Sequence, residues 1–376
     1  MKSADVVIIG AGIIGASSAY FLAKAGLDVT LIDSRGPIAT GGASQACAGG
    51  VRHQARMPVE MPLALHAIKL WKTLGEELDA DLEYRQDGMT VLTDEETLIP
   101  RLEERVELER SLGLDIRMVY GKELHDLIPG LSPRILAGSH CPVDGHANPM
   151  KATSALAAAA ERLGARLKFH CQARSLVTLK GRITAVRTSK GDIPCRHVVL
   201  AAGAWSKTIA ATAEIDLPFH PFPLQMMVTS RQPHFLDQVL GWLGHGISLK
   251  QVPAGGYLIG GGWPGIGDLL NGSTRLMPGA MAKSAETSLD LFPSLAPIPV
   301  IRAWVGIEAF CVDEMQVLGP VPGIEGLFLA AGFSGHGFAI GPGVGSLIAD
   351  YFVTGALCKM FEPFTIQRFS AQERKI

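Results

Sequence analysis

The chain has 376 residues, of which 47% are hydrophobic and 19% charged, and a formal net charge of −2. That length calls for two domains with a large buried core, and so few charges exclude a disordered chain. Lys and Arg are scattered, which excludes a phosphate-tracking surface for nucleic acid; the six cysteines lie far apart with no CxxC pair, which excludes zinc, iron–sulfur and disulfide-framework classes, so no metal is expected.

Val6 to Ile9 is a short apolar run of the kind a parallel strand buried on both faces requires, and Gly10-Ala11-Gly12-Ile13-Ile14-Gly15 follows at once. Lys2 and this run mimic a secretory leader, but the glycine spacing would be wasted in a cleaved segment. Lys24 also interrupts the candidate helix. Neither export nor a transmembrane segment is expected, and a reducing cytoplasm is the simplest location.

Ala16 to Ala25 continues as a helix that Gly26 stops, and Val29 to Ile32 forms a second strand ending at Asp33. Each glycine has a task. Gly10 makes the turn, Gly12 lets backbone N–H groups approach a pyrophosphate, and Gly15 packs helix on strand, while Asp33 accepts from a ribose hydroxyl. The helix N-terminus adds its positive pole, so the segment reads as a dinucleotide site.

Gly41 to His53 is a small-residue loop that can lie along an extended cofactor. The run Val198 to Trp205 is a buried strand entering a small-residue turn. Leu327 to Phe338 repeats the strand and glycine turn, then runs into an apolar helical stripe (Val344, Leu347, Ile348, Tyr351, Phe352) that ends at Gly355. Such a helix directs its positive pole at the part of a flavin that gains charge on reduction.

These ordered motifs resemble the FAD-dependent D-amino acid oxidase and glycine oxidase superfamily across essentially the whole chain. Asp144 to Pro149 and the helix after it, Met150 to Leu163, resemble the family's return into its FAD domain. Ser248 to Gln251, Gly260 to Trp263 and Gly335 to Phe338 look closest to the β-subunits of opine oxidases, D-hydroxyproline dehydrogenases and proline dehydrogenases. The resemblance implies FAD held by Gly10, Gly12, Ile13, Ile14, Gly15, Asp33, Ser34, Arg35, Gly42, Ala43, Ser44, Gly49, Gly50, Val51, Ala173, Ala202, Gly203, Trp205, Gly332, Gly335, His336, Gly337, Phe338 and Ala339. It also implies a small amine or amino-acid substrate.

The chain departs from its relatives at informative places. Positions that carry covalent flavin in some relatives are Ala46 and Gly306 here, so FAD is expected to be non-covalent; Cys47 and Cys311 lie nearby but offset. Glycine oxidases place arginines where this chain has Glu308 and Gly335, and monomeric sarcosine oxidases place a lysine at Ala339. With those carboxylate clamps missing, Arg52 is the candidate for substrate carboxylate and Glu308 for a cationic part of the substrate. His53 and His336 are candidates to accept the amine proton or to hydrogen-bond the substrate. The strand Tyr257 to Gly260 lacks the lysine that monomeric sarcosine oxidases carry beside the flavin, which favours a dehydrogenase using another electron acceptor, with a partner subunit as one candidate.

The expected architecture is α/β plus α+β. A discontinuous Rossmann-like FAD domain takes residues 1–82, 143–212 and 315–376, and a substrate domain with a mixed or antiparallel sheet takes 83–142 and 213–314. The first of those substrate segments reads as strands and loops, and Leu217 to Val305 as strand-rich. The stripe Leu63, Ala67, Leu70, Trp71, Leu74 and Leu78 reads as a core helix. Competing readings are an NAD-dependent dehydrogenase, a flavin-binding subunit with an assembly or electron-transfer role, and an RNA-modifying relative, the last disfavoured by the missing basic surface.

Overall fold

The computed structural model describes residues 3–35 and 41–370, so the outermost domain limits drawn at 1 and 376, and Lys2, lie outside the described residues. The first apolar run forms the strand Ala4–Ile9, with Val6, Val7 and Ile8 wholly buried, and it is the centre of an eight-stranded sheet. Its neighbours are Ile193–Leu200 on one side and Val29–Ile32 on the other, both parallel. Leu327–Ala331 lies parallel beyond Ile193–Leu200, Arg166–Lys168 beyond Val29–Ile32, and the antiparallel Val317–Pro320 makes one edge. A hairpin, Ala173–Leu179 with Arg182–Thr188, continues from the start of Ile193–Leu200.

Parallel strands need crossovers, and four helices cover one face: Ile13–Lys24, Met61–Leu78, Pro149–Arg162 and Gly337–Thr354. The helix Met61–Leu78 buries Leu63, Ala67, Trp71, Leu74 and Leu78, as its stripe predicts. Asn148 caps Pro149–Arg162 by accepting from the N–H groups of Met150 and Lys151. The Trp71 indole N–H donates to the Ala339 carbonyl at 2.7 Å and ties Met61–Leu78 to the C-terminal helix.

The second sheet also has eight strands, drawn from 89–141 and 219–311, in the order Val300–Cys311, Phe219–Thr229, Tyr257–Gly260, His245–Gln251, Val239–Trp242, Met89–Thr93, Ala137–Cys141 and Arg117–Tyr120. It is mixed: Val239–Trp242 runs parallel to Met89–Thr93, and the other pairings are antiparallel. Helix Pro278–Leu291 packs on one face, where Leu240, Leu249 and Ile259 meet Leu291 and Phe292. The other face turns toward the first sheet, since Trp304 donates its indole N–H to the Ala46 carbonyl and a Cβ on Gly306 would overlap Ala46.

Three helices interrupt stretches expected to be strand and loop: Ile99–Ser111 and Gly121–Leu127 in the first segment and Pro278–Leu291 in the second. Ile99–Ser111 is charged along most of its length and buries only Leu102, Val106 and Glu109, too narrow a stripe to stand out by period. Proline in the first turn of Ile99–Ser111 and Pro278–Leu291 was the available start signal.

Candidate active site

Three adjacent parallel strands end together, with Ile9 in register with Leu200 and Leu200 with Leu329. Their carboxyl ends release three small-residue turns, at Gly10, at Ala201 to Gly203 and at Gly332 to Gly335, and ligands of open α/β sheets bind along such an edge. The first turn is sterically determined. Gly10 has φ +104°, and a Cβ there would overlap the Ala201 carbonyl oxygen. A Cβ on Gly15 would overlap the Gly10 carbonyl oxygen, so helix Ile13–Lys24 sits directly on the turn.

Above this edge lies one continuous cleft of about 480 Å³. At one end are Asp33, Ser34 and Arg35 with Gln172 to Arg174; the middle is the glycine turn with Gly42 to Ser44; the far end is bounded by Ile307 to Ala309, Gly332, Gly335, Gly337 and Phe338. Asp33 accepts from the N–H groups of Ala11 and Arg35, both at 2.9 Å, which holds the carboxylate beside the turn. The Ser44 hydroxyl oxygen accepts from the Ile13 N–H at 2.9 Å, at the start of a helix whose first turn carries no acidic side chain. The Arg35 guanidinium lies over the Trp205 ring, 5.1 Å from its centroid, and closes that end of the cleft.

The donor set and the shape fit FAD. An acidic group suits the ribose, glycine backbone at a helix N-terminus suits the pyrophosphate, and the cleft then runs on to the second sheet, where a flavin ring would meet a substrate. At that end the helix Gly337–Thr354 begins, with Gly335, Gly337 and Phe338 on the cleft wall and its positive pole directed inward.

Of the expected cofactor residues, Gly10, Gly12, Ile13, Ile14, Asp33, Ser34, Arg35, Gly42, Ala43, Ser44, Ala173, Ala202, Gly203, Trp205, Gly332, Gly335, Gly337 and Phe338 line the cleft. The structure places the other six elsewhere. Gly15 supports the turn from behind, and a Cβ on Gly49 would overlap the Ala147 carbonyl oxygen. Gly50 and Val51 pair with His146 and Gly145 in a small ladder. Ala339 is buried in the helix, its carbonyl held by Trp71, and His336 turns its ring to Glu60.

The substrate candidates separate in the same way. Glu308 lines the cleft, and its carboxylate accepts from the Gly335 N–H at 3.0 Å. The two positions where glycine oxidases carry arginines are thus in contact here. Burial pushes the Glu308 carboxyl up to about 7, against the opposing effect of the Gly335 N–H.

Arg52 is off the cleft wall, donating to the carbonyls of Gln54 and Ala55 at 2.6 and 2.8 Å, which accounts for a cation that does not reach the cavity. His53 is buried, with Nδ1 2.7 Å from Asp144, and the same carboxylate accepts the His53 N–H. His336 is 3.0 Å from Glu60, which is itself 4.0 Å from Arg56. Burial holds the His336 imidazole down to about 4, outweighing Glu60, so it is neutral near pH 7.

Several lining residues carried no sequence signal. Gln172 comes from the loop after Arg166–Lys168, which is fixed when the N–H groups of His170 and Cys171 donate to the carbonyls of Arg35 and Asp33, and Arg174 comes from the strand Ala173–Leu179 that follows. Ile307 and Ala309 read as ordinary strand core. Cys47 also lines the cleft, closer to the site than its offset position suggests, and burial pushes its thiol up to about 12.

A two-sheet fold with a dinucleotide cleft that runs from a βαβ turn into a second, substrate-facing sheet defines an oxidoreductase of the flavin-binding class. The chain belongs to the FAD dependent oxidoreductase family, whose model matches residues 5–351. It is 28% identical over 382 residues to mitochondrial dimethylglycine dehydrogenase of Mus musculus, covering 94% of this chain but only 42% of that protein. Sarcosine oxidase subunit beta of an Arthrobacter species is 26% identical, with 98% of this chain and 91% of that one covered. The solved structure of L-proline dehydrogenase from P. horikoshii superposes with a TM-score of 0.92 at 27% identity, covering 99% of both chains. FAD is the cofactor of the family, and among the described residues no helix is long and apolar enough to cross a membrane.

Proposed function

We propose that this chain, with FAD bound non-covalently in the cleft, dehydrogenates the C–N bond of a small amine, amino acid, imino acid or opine. When bound, FAD supplies the hydride acceptor at its N5. The observation that carries this reading is the continuity of the cleft from the Gly10 turn to Glu308, on a face where the second sheet closes over the flavin end. The relatives named for dimethylglycine, sarcosine and L-proline support an amino-acid-like substrate with a secondary or tertiary amine.

Such a reaction asks the protein chiefly to position the substrate and to remove one proton from its nitrogen. Glu308 is the residue placed for that task, since a carboxyl held near 7 accepts a proton from a bound ammonium group and keeps a favourable contact with its cationic form. His53 and His336 are committed to Asp144 and Glu60 and act by holding the loop and the C-terminal turn. The high Cys47 thiol and the absence of a nucleophile at Ala46 and Gly306 support a flavin that is not attached.

The strand Tyr257–Gly260 lacks a lysine, but the adjacent strand brings Lys250 into register with Leu258 on the same face. Anaerobic mixing with sarcosine, glycine, D- and L-proline, hydroxyprolines, octopine and nopaline tests the assignment: one of them bleaches the flavin band near ~450 nm. Similarity to a sarcosine oxidase beta subunit also favours a second reading, a flavin subunit that acts within a heteromeric complex. FAD that no amine reduces in the isolated chain, but that is reduced when a partner is added, would select it.

A further inference from the structure

We propose that the hairpin Ile266–Gly267 with Thr274–Arg275, which belongs to the unit built on the second sheet, is a latch on the cofactor site. Docked, it holds the side chains that wall the adenosine end of the cleft, so FAD binds more tightly; bound FAD in turn keeps the hairpin docked. The inference rests on the reading that FAD lies in the cleft with its adenosine at the Asp33 end.

The hairpin leaves the second sheet beside the strand Phe219–Thr229, where the Gly265 N–H donates to the Pro223 carbonyl at 2.9 Å and Pro264 bridges to Leu224. Its two short strands pair Ile266 with Arg275 and Gly267 with Thr274. Aspartate and asparagine shape the tip by accepting from the backbone two residues on: Asp268 from the Leu270 N–H at 2.8 Å, and Asn271 from the Ser273 N–H at 2.7 Å. Consecutive side chains there go opposite ways. Leu270 is 98% exposed, while Leu269 packs on the buried cluster that contains Ile307 and that Trp205 also borders.

Two carbonyls of the tip meet the unit built on the first sheet. The Trp205 indole N–H donates to the Leu269 carbonyl at 2.9 Å, and the Arg35 guanidinium donates to the Gly272 carbonyl at 3.2 Å. The approach is close, since a Cβ on Gly272 would overlap that guanidinium, which also lies over the Trp205 ring. Arg35 and Trp205 both line the cleft; Leu269 and Gly272 stand behind them and do not.

The wall of the adenosine end therefore includes two long side chains whose positions are fixed from the other sheet's unit. Holding such side chains in place before the cofactor arrives removes part of the entropy cost of binding it. The coupling is reciprocal: whatever docking of the hairpin adds to FAD affinity, FAD adds to docking of the hairpin.

The test measures FAD affinity from the fluorescence of free flavin, and docking from trypsin cleavage after Arg275, an exposed residue of the hairpin. A protease needs its strand detached, so cleavage there follows the undocked population. FAD is expected to slow cleavage after Arg275 roughly tenfold and to leave cleavage after Lys180, in the exposed turn that follows the strand Ala173–Leu179, unchanged. Trp205→Phe keeps a ring and loses the donor; it weakens FAD binding roughly three- to tenfold and speeds cleavage of the loaded protein. Leu269→Ala, which alters nothing on the cleft wall, acts in the same direction on both readouts, and Leu270→Ala, at the exposed neighbour, changes neither. If Trp205→Phe weakens FAD binding and Leu269→Ala does not, Trp205 acts on the cofactor alone and the latch is overturned. Cleavage after Arg275 that FAD does not slow, or that it slows no more than cleavage after Lys180, overturns it as well. A wild type that takes up no FAD refutes the reading of the cleft instead.

Discussion

Replacing Glu308 by Gln is expected to stabilise the flavin-free protein above pH 7 and to leave it nearly unchanged near pH 4.5. The wild-type carboxyl moves from an ordinary 4.5 to about 7 because the fold takes it out of water. Between those values the folded protein holds a proton that the unfolded chain has released, so stability falls as pH rises through that window and stays lower above it. Each pH unit corresponds to about 1.4 kcal/mol, which sets an upper limit of about 3 kcal/mol at pH 8. Solvent in the cleft brings the expectation to about 2 kcal/mol. Glutamine keeps an acceptor for the Gly335 N–H, so the variant loses little in exchange.

Urea unfolding at pH 5 and pH 8 reads this difference directly. The reasoning is refuted if the variant gains nothing at pH 8, or gains as much at pH 5. With an amine substrate, the same group is expected to appear as a rise in kcat/KM through about pH 7 that Glu308→Gln abolishes.

Gly10→Ala adds a Cβ that overlaps the Ala201 backbone at a residue with φ +104°, so FAD content per mole of protein should fall sharply, with a stability loss of about 2 kcal/mol or more in thermal unfolding. Cys47→Ser should leave flavin attachment unchanged: acid precipitation releases the flavin into the supernatant from both proteins, and a yellow wild-type pellet beside a colourless variant pellet would show attachment at this thiol. Trp71→Phe leaves the Ala339 carbonyl without its indole donor in a buried site and should cost about 1–3 kcal/mol in urea unfolding, while FAD content at saturating FAD stays the same.

The cofactor half of the site was legible because its signals are local. Gly10, Gly12 and Gly15 at fixed spacing, the strand before them and Asp33 at the end of the next strand each serve a backbone geometry that only those residues satisfy, and the structure puts Gly10, Gly12 and Asp33 on one cleft wall with Gly15 behind. The substrate half was not legible in that way. Arg52 and His53 sit in a loop that reads as facing a flavin, yet a carboxylate ninety-one positions from His53, Asp144, holds the His53 Nδ1, and nearby backbone carbonyls hold the Arg52 Nη1. Lys250 reads as one charged residue in a strand, and only the fold shows that it is buried.

The amino-acid order by itself determined the class of cofactor, the family and the alternation of a dinucleotide unit with a strand-rich one, because glycine turns, buried strand runs and helix stops act within a few neighbouring residues. Which polar groups are free to meet a substrate was decided only by the tertiary structure. Burial, sheet register and long-range pairing assign each charge its partner or leave it without one: Glu308 and Lys250 lie on one face through the pairing of four strands, and His336 is claimed by Glu60 from the far end of the chain.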